Sequence, residues 1–462
     1  VAPRDPAAAN DRRLLARRAA WTAVDQGISS LTNVVIGFIV AATVSAADFG
    51  AFSIAFGVYV VFVGISRAIA TDPLLIRHSA DEDWTDASPM RAATGLALAV
   101  GLAELLLLLV VAPLVGDATG ACLLALAVSL PGLLVQDAWR QAFFTQARPA
   151  AAALNDITWA IAQVIAVGAV LLLGFRSGPV LLLAWGVAGT AAAFFGVLQG
   201  RCWPDPTQAR LWLSRHGDIN TRLLGEFVLS ATSTQGVLIG LGAIVGLSAA
   251  GALRGGQLLM GPMNFILMAS SLIGMSELVR FHSRRGSIVL GAILISAGTV
   301  AMSALWVTVL FLLPARVGEM LLADTWPAAR ETIPGLSVWA IAISAGVGAL
   351  SGLRALAAAR EALAVRAVVT AVMLPLGLGF GILWDAPGAA WGMGIALTVG
   401  AVLWWRSFLK CNRAPIACDS TGVPPDGNPV FHSATTAPEA SSTRGTARQN
   451  WYSARSIREG RR

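Results

Sequence analysis

Two arginines, Arg67 and Arg254, stand inside long apolar stretches, where a guanidinium needs a reason to be. In a hydrocarbon setting an ionisable side chain costs roughly 2.5–3.5 kcal/mol on insertion scales unless it meets water or a partner. Arginine's planar fork offers paired donors to a phosphate or carboxylate, so an anion is the partner its chemistry fits best. Arg67 and Arg254, together with Gln257 and Asp25, are therefore the candidates for lining a substrate cavity. The plainer alternative is that Arg67 snorkels towards one membrane surface and Arg254 towards the other. Asp25 and Glu226 are the acids of interest, and they are the candidates for proton or ion coupling. Both fall near the ends of their apolar stretches, so interfacial acids paired with Arg18 or Arg222 are the competing reading.

A second constellation lies in LLVQDAWRQAFFTQARP, which puts Asp137, Arg140 and Gln141 on one helical face at i, i+3 and i+4. It is followed by NDITWAIAQ, with Asn155, Asp156, Trp159 and Gln163 similarly spaced. Asp137, Arg140, Gln141, Asp156 and Trp159 read either as an inner gate or as an ion pair and amide contacts that pin two helices together. No metal or cofactor is expected, since the four cysteines, Cys122, Cys202, Cys411 and Cys418, are scattered and have neither metal spacing nor a disulfide pattern. The histidines, His78, His216, His282 and His432, fall in loops or the tail, which leaves acyl transfer without a positioned base. The chain reads as a non-enzyme.

The elements that must position these groups are membrane helices. Hydrophobic residues make up 56% of the 462 residues, charged ones 13%, and mean hydropathy is +0.69, a balance foreign to soluble domains. The apolar runs are too long for core strands and lack the alternation of barrel strands. About twelve spans are expected, near 20–45, 49–72, 90–114, 119–145, 154–175, 179–199, 223–247, 249–277, 287–313, 332–353, 363–384 and 388–409. The fold class is thus an all-α polytopic membrane protein of two six-helix bundles related by a pseudo-twofold along the membrane normal.

The duplication rests on weak internal matches at nearly constant offset. Gly50 pairs with Gly251, Ser45 with Gly246, Tyr59 with Met260 and Asp25 with Glu226; Pro131-Gly132 pairs with Pro334-Gly335, and Ala184-Trp185-Gly186 with Ala390-Trp391-Gly392. The expected organisation is a basic lead at 1–19, an N-terminal bundle at 20–199, a linker at 200–222, a C-terminal bundle at 223–410 and a disordered tail at 411–462, poor in large apolar residues. Arginine gathers in alternate loops, at Arg77, Arg91, Arg148, Arg201, Arg210, Arg215, Arg360 and Arg366 among others, which places both termini in the cytoplasm by the positive-inside rule. A single lysine, Lys410, among so many arginines and alanines reads as the coding bias of a GC-rich bacterium, and the location as its cytoplasmic membrane.

The stretch VSAADFGAFSIAFGVYVVFVGISRAIATDPLLIR resembles the first hairpin of Wzx-like polysaccharide exporters, in the superfamily that also holds the MATE drug exporters and lipid II flippases. The run from Asp137 to Trp159 is similar to that family too, whereas AAGALRGGQ departs from the expected acidic-Phe-Gly pattern in the second half. The resemblance implies two six-helix bundles around a V-shaped cavity, alternating access, and a lipid-diphosphate sugar bound by cavity arginines, with Arg67 and Arg254 on the matching helices. The implied function is a flippase that moves a lipid-linked oligosaccharide or envelope polysaccharide precursor from inner to outer leaflet. Its partners would be the lipid-linked glycan and the bilayer, with envelope polysaccharide assembly enzymes left open and no nucleic acid. A MATE-type multidrug or cation antiporter is the alternative and would want acids deep in the cavity. A major-facilitator carrier lacks its pattern in RHSADEDWTDASPM, and a membrane glycosyltransferase lacks a sizeable acidic loop after the first span.

Overall fold

The computed structural model describes residues 6–79, 84, 86–263, 267, 288–356 and 358–413, all of which pack within one compact unit that ends at Arg413. The expected tail at 411–462 lies almost wholly outside the described residues, as do most of 264–287. Helices α1 (Pro6–Thr43), α2 (Ala46–Ser66), α3 (Asp72–His78), α4 (Ser88–Val115), α5 (Asp117–Thr145), α6 (Pro149–Leu172) and α7 (Gly178–Gly200) make the first half. A linker with the short α8 (Ala209–Arg215) leads to α9 (Gly217–Ile244), α10 (Leu247–Leu259), α11 (Ile288–Phe311), α12 (Ala315–Leu322), α13 (Trp326–Ala355) and α14 (Ala359–Arg413). Ten of the described helices are long and apolar enough to cross a membrane.

Several boundaries move. The lead and first span are one unbroken helix, because nothing in ARRAAWTAVDQ interrupts α-helical propensity. The span expected from residue 223 begins at Gly217, so the linker is shorter than read from sequence. The last two expected spans form one run, α14, which breaks at Trp384 and Asp385; Asp385 has φ 54° and Pro387 follows. Gly388 serves that turn, since a Cβ there would lie 2.0 Å from the Phe380 carbonyl oxygen.

The helices are apolar on both sides. α5, α7 and α13 bury large parts of their surface, while Leu106, Val110 and Leu114 of α4 and Val164 and Ile165 of α6 point outward uncovered. That distribution suits lipid, where helices associate by close packing of small residues instead of by hydrophobic burial. The closest such approach joins the two halves. A Cβ on Gly50 of α2 would stand 1.8 Å from the Leu247 carbonyl oxygen, and one on Gly251 of α10 would stand 2.6 Å from that of Ala46. The glycines that align as repeat equivalents therefore lie against each other.

Candidate functional site

The first half assembles its charged residues from a local defect. Pro73 has no N–H to return to the Ile69 carbonyl four residues earlier, and that carbonyl instead accepts the indole N–H of Trp212 at 3.2 Å. Just before it the backbone widens into a π-helical turn over Arg67–Thr71. From the start of this turn Arg67 reaches α5, where Nε and Nη2 donate to the two carboxylate oxygens of Asp137 at 2.7 and 2.5 Å. Almost one helical turn further along α5, Arg140 donates from Nε and Nη2 to Asp25 Oδ2 at 3.0 and 2.7 Å. Its Nε also stands 3.2 Å from Asp156 Oδ2, an ion-pair contact without hydrogen-bond geometry.

Amides extend this network. Gln136 donates to Asn155 Oδ1 at 3.2 Å and Asp156 Oδ1 at 2.9 Å, and Asn155 donates to the Ala192 carbonyl at 3.0 Å and Gln199 Oε1 at 2.9 Å. Five helices, α1, α2, α5, α6 and α7, are tied through one polar knot. Asp25 is 0% exposed, Asp156 2% and Arg140 5%. Three carboxylates meet two guanidiniums, so with all five ionised the knot carries one unmatched negative charge, and Asp25 Oδ1 keeps no hydrogen-bond partner.

Asp137 and Arg140, three residues apart on one face of α5, take separate partners: Asp137 is held by Arg67, and Arg140 reaches Asp25 of α1. Asp25 meets Arg140 and neither Arg18 nor Arg222. Gln141 is half-buried and stands outside the knot among the described residues. Trp159 is buried, donates to the Trp185 carbonyl at 3.4 Å, and packs its ring 5.4 Å from that of Trp185. Glu226, which the sequence offset aligns with Asp25, is exposed on α9.

Arg254 is set differently. It has no carboxylate partner among the described residues, and its guanidinium carbon lies 5.0 Å from the ring centroid of Phe56, a cation–π contact across the two halves. With Gln257, Met260, Leu336, Trp339 and Met393 it lines a cavity of about 100 Å³. Gln257 Nε2 is buried there without an acceptor. The sequence candidates thus divide into a locked set (Asp25, Arg67, Asp137, Arg140, Asp156) and an open set (Arg254, Gln257).

Two groups escaped the sequence reading. Glu104 is 7% exposed within α4, with Oε2 unpartnered, and an acid inside LAELLLLLVV was the available signal. Arg366, read as a loop arginine, lies in α14 and donates to Ser230 Oγ of α9 at 3.0 Å; its place three residues inside an expected span pointed there. Beside the linker, Arg77 holds both Asp218 oxygens at 2.9 and 2.8 Å. Hydrogen bonds from Thr207 and Gln208 hold the Asp205 carboxyl below its usual range, and burial pushes the His216 imidazole down.

No protein-family model matches the sequence, and no curated protein matches it. Solved structures do. An inward-facing multidrug resistance MATE family transporter of the MOP superfamily superposes with TM-score 0.67 at 11% identity, over 85% of this chain and 98% of that one. The lipid II flippase MurJ in an inward closed conformation follows at 0.65 and 12%, over 84% and 89%. A MOP superfamily transporter from Pyrococcus furiosus, described by the reverse polarity of its binding pocket, matches at 0.57 and 13%, over 86% and 95%. At these identities the likeness is one of fold, and the fold of this chain is that of the MOP superfamily transporters.

Proposed function

We propose that this chain is a MOP-type transporter that carries a lipid-linked, diphosphate-bearing glycan from the inner to the outer leaflet of a bacterial cytoplasmic membrane by alternating access. The observation that carries the reading is Arg254: a cation on a cavity wall, held by an aromatic face and free of any carboxylate among the described residues. Such a group can give its charge-assisted hydrogen bonds to a diphosphate, whereas Arg67 has already given its fork to Asp137. Arg254 with Gln257 is then the head-group site, and Arg67 a positioning residue. The inside-negative potential favours outward movement of the anion by roughly 2.3 kcal/mol per charge per 100 mV, weighted by the field each charge crosses. No chemistry on the substrate is invoked, and the chain acts as a carrier, not an enzyme.

The test is lipid analysis of a deletion strain. An envelope glycolipid should accumulate on the inner leaflet, wild-type protein should clear it, and Arg254→Gln at equal protein level should not. Normal export with lost drug resistance would overturn the reading. One observation favours that second reading, a cation antiporter: the unmatched negative charge around Asp25, Asp137 and Asp156 is a place for a proton or cation. Asp25→Asn would then abolish transport while Arg254→Gln spares it.

A further inference from the structure

A second cavity, of about 190 Å³, lies between α9, α13 and α14. It shares one wall residue, Trp339, with the Arg254 cavity. Among the described residues no acid lines it, and its single charged lining residue is Arg366. Among the described residues the only side-chain acceptor of Arg366 is Ser230 Oγ, at 3.0 Å. A guanidinium with one hydroxyl acceptor leaves most of its five N–H donors unused.

The rest of the lining is also weighted towards donors. Accepting from Arg366 leaves the Ser230 hydroxyl proton free to point into the cavity, and Thr234 adds a second hydroxyl. Ser233 and Thr370 contribute less, since they donate to the carbonyls of Ser230 and Leu229 at 2.7 and 2.9 Å. Trp404 is 4% exposed and its indole N–H is buried without an acceptor among the described residues. A buried donor left unpaired is expensive, and native interiors seldom tolerate one that nothing ever satisfies. The charged groups that face Arg366 from outside the lining are Glu226, one turn earlier on α9, and Arg354 on α13; they oppose each other.

We propose that this cavity is a second binding site, for an oxyanion carried on a sugar or a lipid head group, with Arg366 as its cation, Ser230, Thr234 and Trp404 as neutral donors and the Trp339 ring as a wall against a sugar face. Donors without acceptors select an anion. Aromatic walls suit the apolar face of a sugar ring. The shared Trp339 makes the site a neighbour of the Arg254 cavity, so an anionic glycan longer than its diphosphate would meet two cationic stations on the second half. The inference goes beyond the proposed transport function and does not depend on it, because it is read by binding alone.

The test is calorimetric titration of the full chain in phosphatidylcholine nanodiscs with glucose 1-phosphate, and with glucose as the neutral control. Saturable binding of the phosphate ester and none of glucose is expected. Arg366→Gln should weaken it by about tenfold or more, while Arg254→Gln leaves one binding event of unchanged affinity. Thr234→Val and Trp404→Phe remove one neutral donor each and should weaken binding about three- to tenfold, which keeps the test open if Arg366→Gln does not elute as a monodisperse protein. A second arm replaces part of the lipid with phosphatidylglycerol. Loss of sugar-phosphate binding there, restored by Arg254→Gln but not by Arg366→Gln, would place the lipid head group at the Arg254 cavity and leave the sugar phosphate as the oxyanion of this site. Loss in the wild type and Arg254→Gln alike identifies the lipid phosphate as the oxyanion of this site. Wild-type affinity in Arg366→Gln, or no binding by wild type of either phosphate source, overturns the proposal.

Discussion

Asp25 and Glu226 are aligned by the sequence offset between the two halves, and the halves treat them in opposite ways. Asp25 is sealed in a knot with Arg140 and, through that arginine, Asp156, while Glu226 stands exposed on α9. The arginines invert the pattern: Arg67 and Arg140 of the first half are spent on internal carboxylates, whereas Arg254 and Arg366 of the second line cavities. The buried charges of the first half are paired with a surplus of acid, and the cavities of the second carry unpaired base. A buried charge is tolerated where its partners are covalently fixed parts of the fold, and an unpaired one where a ligand is to arrive.

The largest effect that can break this contrast is Arg140→Ala. It leaves Asp25 and Asp156 buried with no cation, and breaking a buried pair in this way costs about 3–5 kcal/mol, to be read as a lower unfolding midpoint of the purified protein. Asp25→Asn should cost far less, because Arg67 with Asp137 and Arg140 with Asp156 then balance. Glu226→Gln, on an exposed surface, should stay within about 0.5 kcal/mol. Equal losses for Arg140→Ala and Asp25→Asn would mean that charge balance does not hold the knot together.

A smaller effect is expected for Arg67 and Asp137. Their double-mutant cycle should return a coupling of about 1–2 kcal/mol, below that of a sealed pair because the Arg67 side chain is 37% exposed. A coupling near zero would free Arg67 to act as a second cavity cation and would erase the difference between the halves.

The smallest effect concerns the linker that joins them. His216 is buried, with Nδ1 2.9 Å from the Trp212 carbonyl, and burial lowers its affinity for a proton. Since the folded value lies below the unfolded 6.5, its contribution is complete above that pH and is lost as pH falls through the folded value. The protection factors of the amides from Trp212 to Asn220, after correction for the intrinsic exchange rate, should therefore fall on going from about pH 7 to about pH 5, and His216→Gln should remove the fall. An identical pH response in His216→Gln would assign the effect to another group.

How far the sequence reaches can be judged from these same residues. The all-helical membrane class and the presence of Asp25, Arg140, Asp156 and Arg254 as ionisable groups within apolar runs were legible, because hydropathy sums locally along the chain and a charge within an apolar run stands out. The continuous α1, the early start of α9 and the break at Asp385 were not, since they depend on backbone choices that hydropathy does not register. Pairing lay further out of reach. The i+3 spacing favours Asp137 with Arg140, yet Arg140 is held by an acid 115 positions away and Arg67 by one 70 positions away. Sequence alone determined which side chains the membrane would force to find partners. Only the tertiary structure decided which partner each one found, because an ion pair depends on distance through space, and five helices had to converge before those distances existed.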